Sequence, residues 1–320
     1  MTEENAHDAP VVVGVNGTET ALRAVLWAAG EARLRDVALR IVHAAPYAAD
    51  PTGPGRRRAD AILARAYTVA RRQGHAVDVH TERLDHEPVR SLLEVAGRAQ
   101  LLVLGMVHGD RPEDVFITST AMRVSGRAGC PVVVVRGRRG PLSAGRPVVI
   151  GVDDPVADRA ALAAAFDDAR RHRTPLIVIH ARHGIGPLSE RLVDRDTQAE
   201  MLGHITEAMA PWRSRYPDVQ TDLRLLRGSP VDLLLREAVH AWLVVVGSRG
   251  RHAAARAVFG STSREVLRAC PCPVEVVNPG VMDREQTVPM PAGEAATPSV
   301  ATAPSRPAWA DHPHDRGELW

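Results

Sequence analysis

The residues best suited to chemistry are three glycines and the hydroxyls behind the last of them. Gly247 ends the apolar run Leu243-Val244-Val245-Val246. Gly250 follows across Ser248 and Arg249, and Gly260 comes after nine more residues, leading directly into Ser261, Thr262 and Ser263. Gly247 and Gly250 can take a positive φ and let backbone N–H groups approach a ligand with no Cβ in the way. A helix opening at Gly260 presents unpaired N–H groups and a partial positive charge, which suits phosphate. The Ser261 and Thr262 hydroxyls can add bonds to phosphate oxygens, and a backbone nest of this kind binds an anion without a cationic side chain. That matters because the chain contains no lysine. It therefore has no P-loop lysine, no Schiff-base amine and no lysine general base. Arg249, Arg251 and Arg256 stand close enough to lend charge, or simply to be solvated. The plainer alternative is a set of turn glycines followed by a serine cap, worth about 1 kcal/mol to the helix.

Other chemistries find little support. No Ser-His-Asp or His-Glu-x-x-His pattern stands out, and no adjacent carboxylate pair clearly suits Mg²⁺. His108 and Asp110 are two polar residues of a loop rather than a metal or catalytic pair, so no catalytic or metal residue is assigned. Cys130, Cys270 and Cys272 are an odd number for a disulfide framework, and the last two flank Pro271 too closely for a C-x-x-C pair. A formal net charge of +2 and the isolated run Arg56-Arg57-Arg58, with no aromatic platform, argue against nucleic acid. No apolar run approaches the roughly 20 residues of a membrane span. The acidic start MTEENAHDAP lacks the features of a signal peptide, so the expectation is a cytoplasmic protein.

The elements that must position the glycines come in two copies. VVVGVNGTETALRAVLWAA recurs as VVIGVDDPVADRAALAAAF, HEPVRSLLEVAGRAQLLVLG as GSPVDLLLREAVHAWLVVVG, and Cys130-Pro131-Val132 as Cys272-Pro273-Val274. Within a copy, short Val/Ile/Leu runs without polar alternation read as strands buried on both faces. They alternate with segments of helical spacing such as Leu22, Val25, Leu26 and Ala29. The β-α-β order predicts an α/β fold of two tandem Rossmann-like domains, each a five-stranded parallel sheet flanked by helices. The domains run over 1–137 and 147–279, joined by a Gly/Arg-rich linker, and 281–320 reads as a disordered tail. Trp309 and Trp320 in the tail could form a docking motif, but a solvated tail is the simpler reading.

The glycine spacing, the opening VVVGVNGTETALRAVLWAA and the ending CPVEVV together resemble the universal stress protein family, in its tandem form common in actinobacteria. The resemblance covers nearly everything from Val11 to Asn278 and leaves the tail unexplained. It implies a fold of the adenine nucleotide alpha-hydrolase type and a nucleotide-dependent regulator of the stress response. ATP or another adenine nucleotide, with or without Mg²⁺, would be the cofactor, and any enzymatic activity would be at most weak ATP hydrolysis. By the same resemblance Gly247, Ser248, Arg249, Gly250, Gly260, Ser261 and Thr262 surround ribose and phosphates. Asp153, after Gly151 and the first strand, lies beside the nucleotide, and backbone at His180-Ala181 holds the adenine. Asp153 also suits an Asx turn or a helix cap. The last strands, PVVVV and PVEVV, would join the domains as a pseudo-dimer, with a further homodimer and a regulatory protein as partners.

The first copy departs from the pattern. Gly247 aligns with Gly105, but Gly250 falls on His108, Gly260 on Thr118 and Asp153 on Asn16. Gly109 could shift the loop by one residue, and Ser119-Thr120 keep the hydroxyls. A threonine resists the positive φ that a glycine allows. Asp110, Glu113 and Asp114 would repel phosphate, with Arg111 offsetting one of them. The expectation is weak or absent nucleotide binding in this copy.

Overall fold

The structure, a computed structural model, describes residues 9–72, 77–106, 120–136, 145–182, 195–248 and 259–283. The expected tail from 284 onward lies outside them. Both repeats belong to one compact unit.

The first repeat comprises β1 (Val11–Gly14), α1 (Glu19–Arg35), β2 (Leu39–Ala44), α2 (Pro54–Arg71), β3 (Val79–Leu84), α3 (Pro88–Ala96), β4 (Leu101–Gly105), α4 (described over 120–125) and β5 (Val132–Val135). The second comprises β6 (Val148–Gly151), α5 (Arg159–His172), β7 (Leu176–Arg182), α6 (Arg195–Arg215), β8 (Thr221–Arg227), α7 (Pro230–Ala238), β9 (Leu243–Gly247), α8 (Ser261–Ala269) and β10 (Val274–Val277). Local chemistry sets the boundaries. The Thr18 hydroxyl accepts the Ala21 N–H at 3.3 Å to start α1. Pro54, Pro88 and Pro230 open α2, α3 and α7, where a missing N–H costs nothing. Asp36 and Arg173 end α1 and α5 in the left-handed region, at φ 55° and 51°, so both repeats stop this helix in the same way.

The strands form one ten-stranded sheet in the order β3-β2-β1-β4-β5-β10-β9-β6-β7-β8. Each half is parallel, as expected, and the halves meet through an antiparallel β5–β10 pair, with Val133 opposite Glu275. The two apolar edges thus complete each other's hydrogen bonding, leaving the half-exposed β3 and β8 as outer edges. Helices cover both faces. One core layer holds Trp27, Ile41, Phe166, Trp212 and Leu243, and the other Leu92, Leu102, Val134, Leu234 and Leu267. Each layer draws on both repeats.

The junction also buries charge. Arg35 on α1 pairs with Asp168 on α5 at 2.9 Å, and His172 on α5 with Glu31 on α1 at 2.7 Å. Glu31 and Asp168 occupy equivalent places in the two repeats, as do Arg35 and His172, so the two pairs are one contact crossed over a pseudo-twofold axis. Trp27 stacks on Trp242 beside them, with centroids 5.8 Å apart. Burial pushes the Glu31 carboxyl up, but the hydrogen bond from His172 and the Arg35 charge leave it below its ordinary value. Glu275 is 1% exposed, and burial, then the Asp168 charge, drive its carboxyl well above the usual range. Both causes favour its neutral form.

Candidate functional site

In the second repeat β6 lies between β9 and β7, so the chain leaves β6 toward one side and returns on the other. The carboxyl ends of these strands flank the crevice where open α/β sheets hold ligands. Gly151, Val152 and Asp153 come from the end of β6, His180 and Ala181 from β7, and Gly247 and Ser248 from β9. Arg249 and Gly250 lie outside the described residues, and α8 closes the crest from Gly260 onward.

α8 opens at Gly260 as expected, Gly247 does not use a positive φ, and Gly250 lies outside the described residues. Gly260 has φ −58° and ψ 148°, an extended conformation open to any residue, and Gly247 is not among the glycines with positive φ. The counterpart of Gly260 in the first repeat, Thr118, lies outside the described residues, as do His108, Gly109, Asp110, Arg111, Glu113, Asp114 and Ser119. Gly260 gives α8 no side-chain cap, so among the described residues no carboxylate or hydroxyl caps the first N–H groups of the helix. At Gly151 a Cβ would stand 2.9 Å from Leu234 Cδ1, so a larger residue there would push the Leu234 side chain aside.

The polar groups are held by local bonds. Ser263 donates to the Gly247 carbonyl at 2.5 Å and the Gly260 N–H to the Ser248 carbonyl at 2.9 Å, which pins the start of α8 over the end of β9. Ser261 is exposed and Thr262 half-buried. The Ser248 hydroxyl is buried, with its residue 1% exposed, and makes no hydrogen bond among the described residues. A buried hydroxyl without a partner is costly, and a ligand atom would relieve it. His180 Nδ1 bonds the Val152 carbonyl at 2.9 Å, as His43 Nδ1 bonds Val15 at 2.7 Å in the first repeat. Since a carbonyl only accepts, Nδ1 carries the proton in both. The His180 ring thus ties β7 to β6.

Sequence reasoning missed Asp158. The Asx turn belongs to Asp154, whose Oδ1 accepts the Val156 N–H at 2.8 Å, while Asp153 is exposed. Asp158 Oδ2 accepts the N–H groups of Asp153 at 2.8 Å and Asp154 at 3.2 Å and so shapes the loop that carries Asp153. Burial pushes the Asp158 carboxyl up to about 6, against those two bonds. A carboxyl raised on folding binds its proton more tightly in the native state. Its contribution is present at low pH and is lost as pH rises from about 4 through about 6. Asp158→Asn keeps an accepting oxygen and removes this slope. Denaturant unfolding at pH 4 and pH 8 should show the variant gaining about 2 kcal/mol on the parent between those ends.

Comparison with known proteins places this architecture. The sequence model of the universal stress protein family matches residues 9–136 and 145–278. The chain belongs to the universal stress protein family. A universal stress protein of Mycolicibacterium smegmatis is 31% identical over 293 residues, covering 86% of this chain and 99% of its own. One of Mycobacterium bovis is 32% identical over 286 residues, covering 83% and 96%. Among solved structures, a universal stress protein from Archaeoglobus fulgidus superposes with a TM-score of 0.63 at 16% identity, covering 86% of this chain and 97% of its own, which speaks for the fold.

The crest of the first universal stress protein repeat contains a cavity of about 170 Å³. Gly14, Asn16, His43, Ala44, Gly105 and Thr120 are among its lining, the counterparts of Gly151, Asp153, His180, Ala181, Gly247 and Thr262. Its polar side chains are engaged. Asn16 Oδ1 accepts from the Thr18 hydroxyl at 2.7 Å, and His43 Nε2 accepts from the Tyr47 hydroxyl at 2.7 Å. Among the described residues no group of three His, Cys, Asp or Glu side chains could hold a metal, and no helix is long and apolar enough to cross a membrane.

Proposed function

We propose that this universal stress protein is a nucleotide-dependent regulator that holds ATP or another adenine nucleotide at the crest of its second repeat. One observation carries the reading: the start of α8 at Gly260 lies against the end of β9, where the buried Ser248 hydroxyl has no partner among the described residues. The phosphates sit on the α8 N–H groups, with Ser261 and Thr262 adding hydroxyls and Gly247, Arg249 and Gly250 completing the loop. Asp153 stands beside the nucleotide, and the His180-Ala181 backbone meets the adenine. A Mg²⁺ ion, if carried, arrives on the phosphates. His180 Nδ1 is committed to the Val152 carbonyl, which fixes the ring between β7 and β6. Because β5 and β10 already pair within the chain, a homodimer or a regulatory partner uses another surface.

A second reading rests on the first-repeat cavity, which offers room for a ligand at the equivalent place. Purifying the protein, denaturing it and identifying the released nucleotide by mass spectrometry separates the two. Near one adenine nucleotide per chain is the expected result, and near two would put a functional site in the first repeat as well. None, together with no thermal shift on added ATP, would overturn the nucleotide reading and leave a scaffold.

A further inference from the structure

The two repeats provide an internal comparison at the two ends of the antiparallel β5–β10 pair. After β5 comes Arg136, whose guanidinium Nη1 donates to the Leu267 carbonyl in the last turn of α8 at 2.6 Å. After β10 comes Asn278, which donates to the Ser125 and Ala128 carbonyls behind α4 at 3.1 and 2.8 Å. These are the same contact seen twice, but the surroundings differ. The Asn278 side has Ala128 and Cys130; the Arg136 side has Cys270 and Cys272 in the equivalent places. A thiol pair and a buried cation therefore occur together at only one of two equivalent turns. Cys270 Sγ and Cys272 Sγ lie 3.5 Å apart across Pro271, and both residues are buried, at 3% and 2% exposure.

We propose that Cys270 and Cys272 form a redox-active pair that closes to an intrachain disulfide when the protein meets peroxide. The Cys270 thiolate attacks one peroxide oxygen and the O–O bond breaks. The departing hydroxide takes up the proton released by the thiol and leaves as water, so Cys270 becomes a sulfenic acid. The Cys272 sulfur then attacks the Cys270 sulfur, the S–O bond breaks, and the hydroxyl leaves with the Cys272 proton as a second water. Two electrons pass from the two thiols to the peroxide.

The surroundings support this order of events. The hydrogen bond with Cys272 holds the Cys270 thiol below its usual value against burial, and the Arg136 charge acts in the same direction. Closing the bond requires the sulfurs to approach by about 1.5 Å, a small movement for a turn between α8 and β10. Burial slows the first step, but it also shields the sulfenic acid from a second peroxide while its partner thiol stands next to it. The turn leads directly into β10, the strand that pairs with β5, so the chemistry lies at the junction of the repeats.

The test uses the full native chain and a Cys130→Ser variant, treated with hydrogen peroxide, alkylated under denaturing conditions and digested with trypsin. Cleavage after arginine releases both thiols in one peptide, 269–284, and Cys130 in another, 128–136. The expected result is a 269–284 peptide about 2 Da lighter than its dithiol form, unalkylated, and restored by dithiothreitol, in both proteins. Two alkylated thiols after treatment would overturn the proposal, as would sulfinic acid on either cysteine without a disulfide. So would a disulfide that appears only when peroxide is added in urea.

Discussion

Replacing Arg35 by methionine should lower the unfolding free energy by about 3–5 kcal/mol, because it leaves two buried carboxylates without their cation. Arg35 bridges Glu31 at 3.3 Å and Asp168 at 2.9 Å, and all three side chains are nearly excluded from water. For a unit of this size that loss corresponds to a fall of roughly 10 °C in Tm. The sign of its pH dependence identifies the cause. Glu31 is held below its ordinary value in the folded state, so its contribution is present above about 4.5 and fades as pH falls. Asp168 and Glu275 are pushed up by burial and carry the opposite slope, both before and after the substitution. The gap between parent and variant should therefore be widest near neutral pH and narrow in acid, where orphaned carboxylates can take up protons. Adding Glu31→Leu and Asp168→Leu removes both orphaned carboxylates and should recover part of the loss, with His172 and Glu275 left without those partners. A deficit that persists unchanged in the triple variant and at all pH values would point instead to the packing of the Arg35 stem.

Much of this molecule was legible in the chain because it is written twice. Equivalent positions repeat down to His43 and His180, which make the same bond to the carbonyl after β1 and β6. The buried valine runs gave the strands, and the two short last strands pointed to edges in need of partners. The junction network was not legible. Glu31, Arg35, Asp168 and His172 each look like ordinary helix-surface charge, and only the antiparallel β5–β10 pairing brings the two helices face to face. Glu275 was the one visible signal, an acid inside a buried apolar strand. Sequence also misjudged the φ of Gly247: a motif shows where side chains are missing, but not whether φ, packing or ligand access required it. At Gly151 a Cβ would push Leu234 aside, and Gly260 gives α8 no side-chain cap. The expectations for Arg249 and Gly250 fall on residues outside the described ones.

The absent cap makes a prediction in which two readouts move in opposite directions. Gly260 already has the extended backbone of an N-cap residue, so Gly260→Asp fits without strain. Its carboxylate can accept the N–H of Thr262 or Ser263 and complement the α8 dipole. The nucleotide-free protein should therefore gain a few tenths of a kcal/mol, visible as a slightly higher unfolding midpoint. The same N–H groups are those proposed to hold phosphate. A fixed negative charge about 4 Å from a phosphate oxygen costs on the order of 4 kcal/mol at a partly solvated site. Affinity for ATP should accordingly fall at least about 100-fold, and copurified nucleotide should disappear. Gly260→Asn provides the neutral control: it caps α8 in the same way, so its weaker effect on binding measures the part that is blockage rather than charge. If Gly260→Asp stabilises the protein and leaves its nucleotide content unchanged, the anion does not sit on α8. A drop in both stability and binding would mean that the start of α8 has refolded, and that the uncapped turn served the fold rather than the ligand.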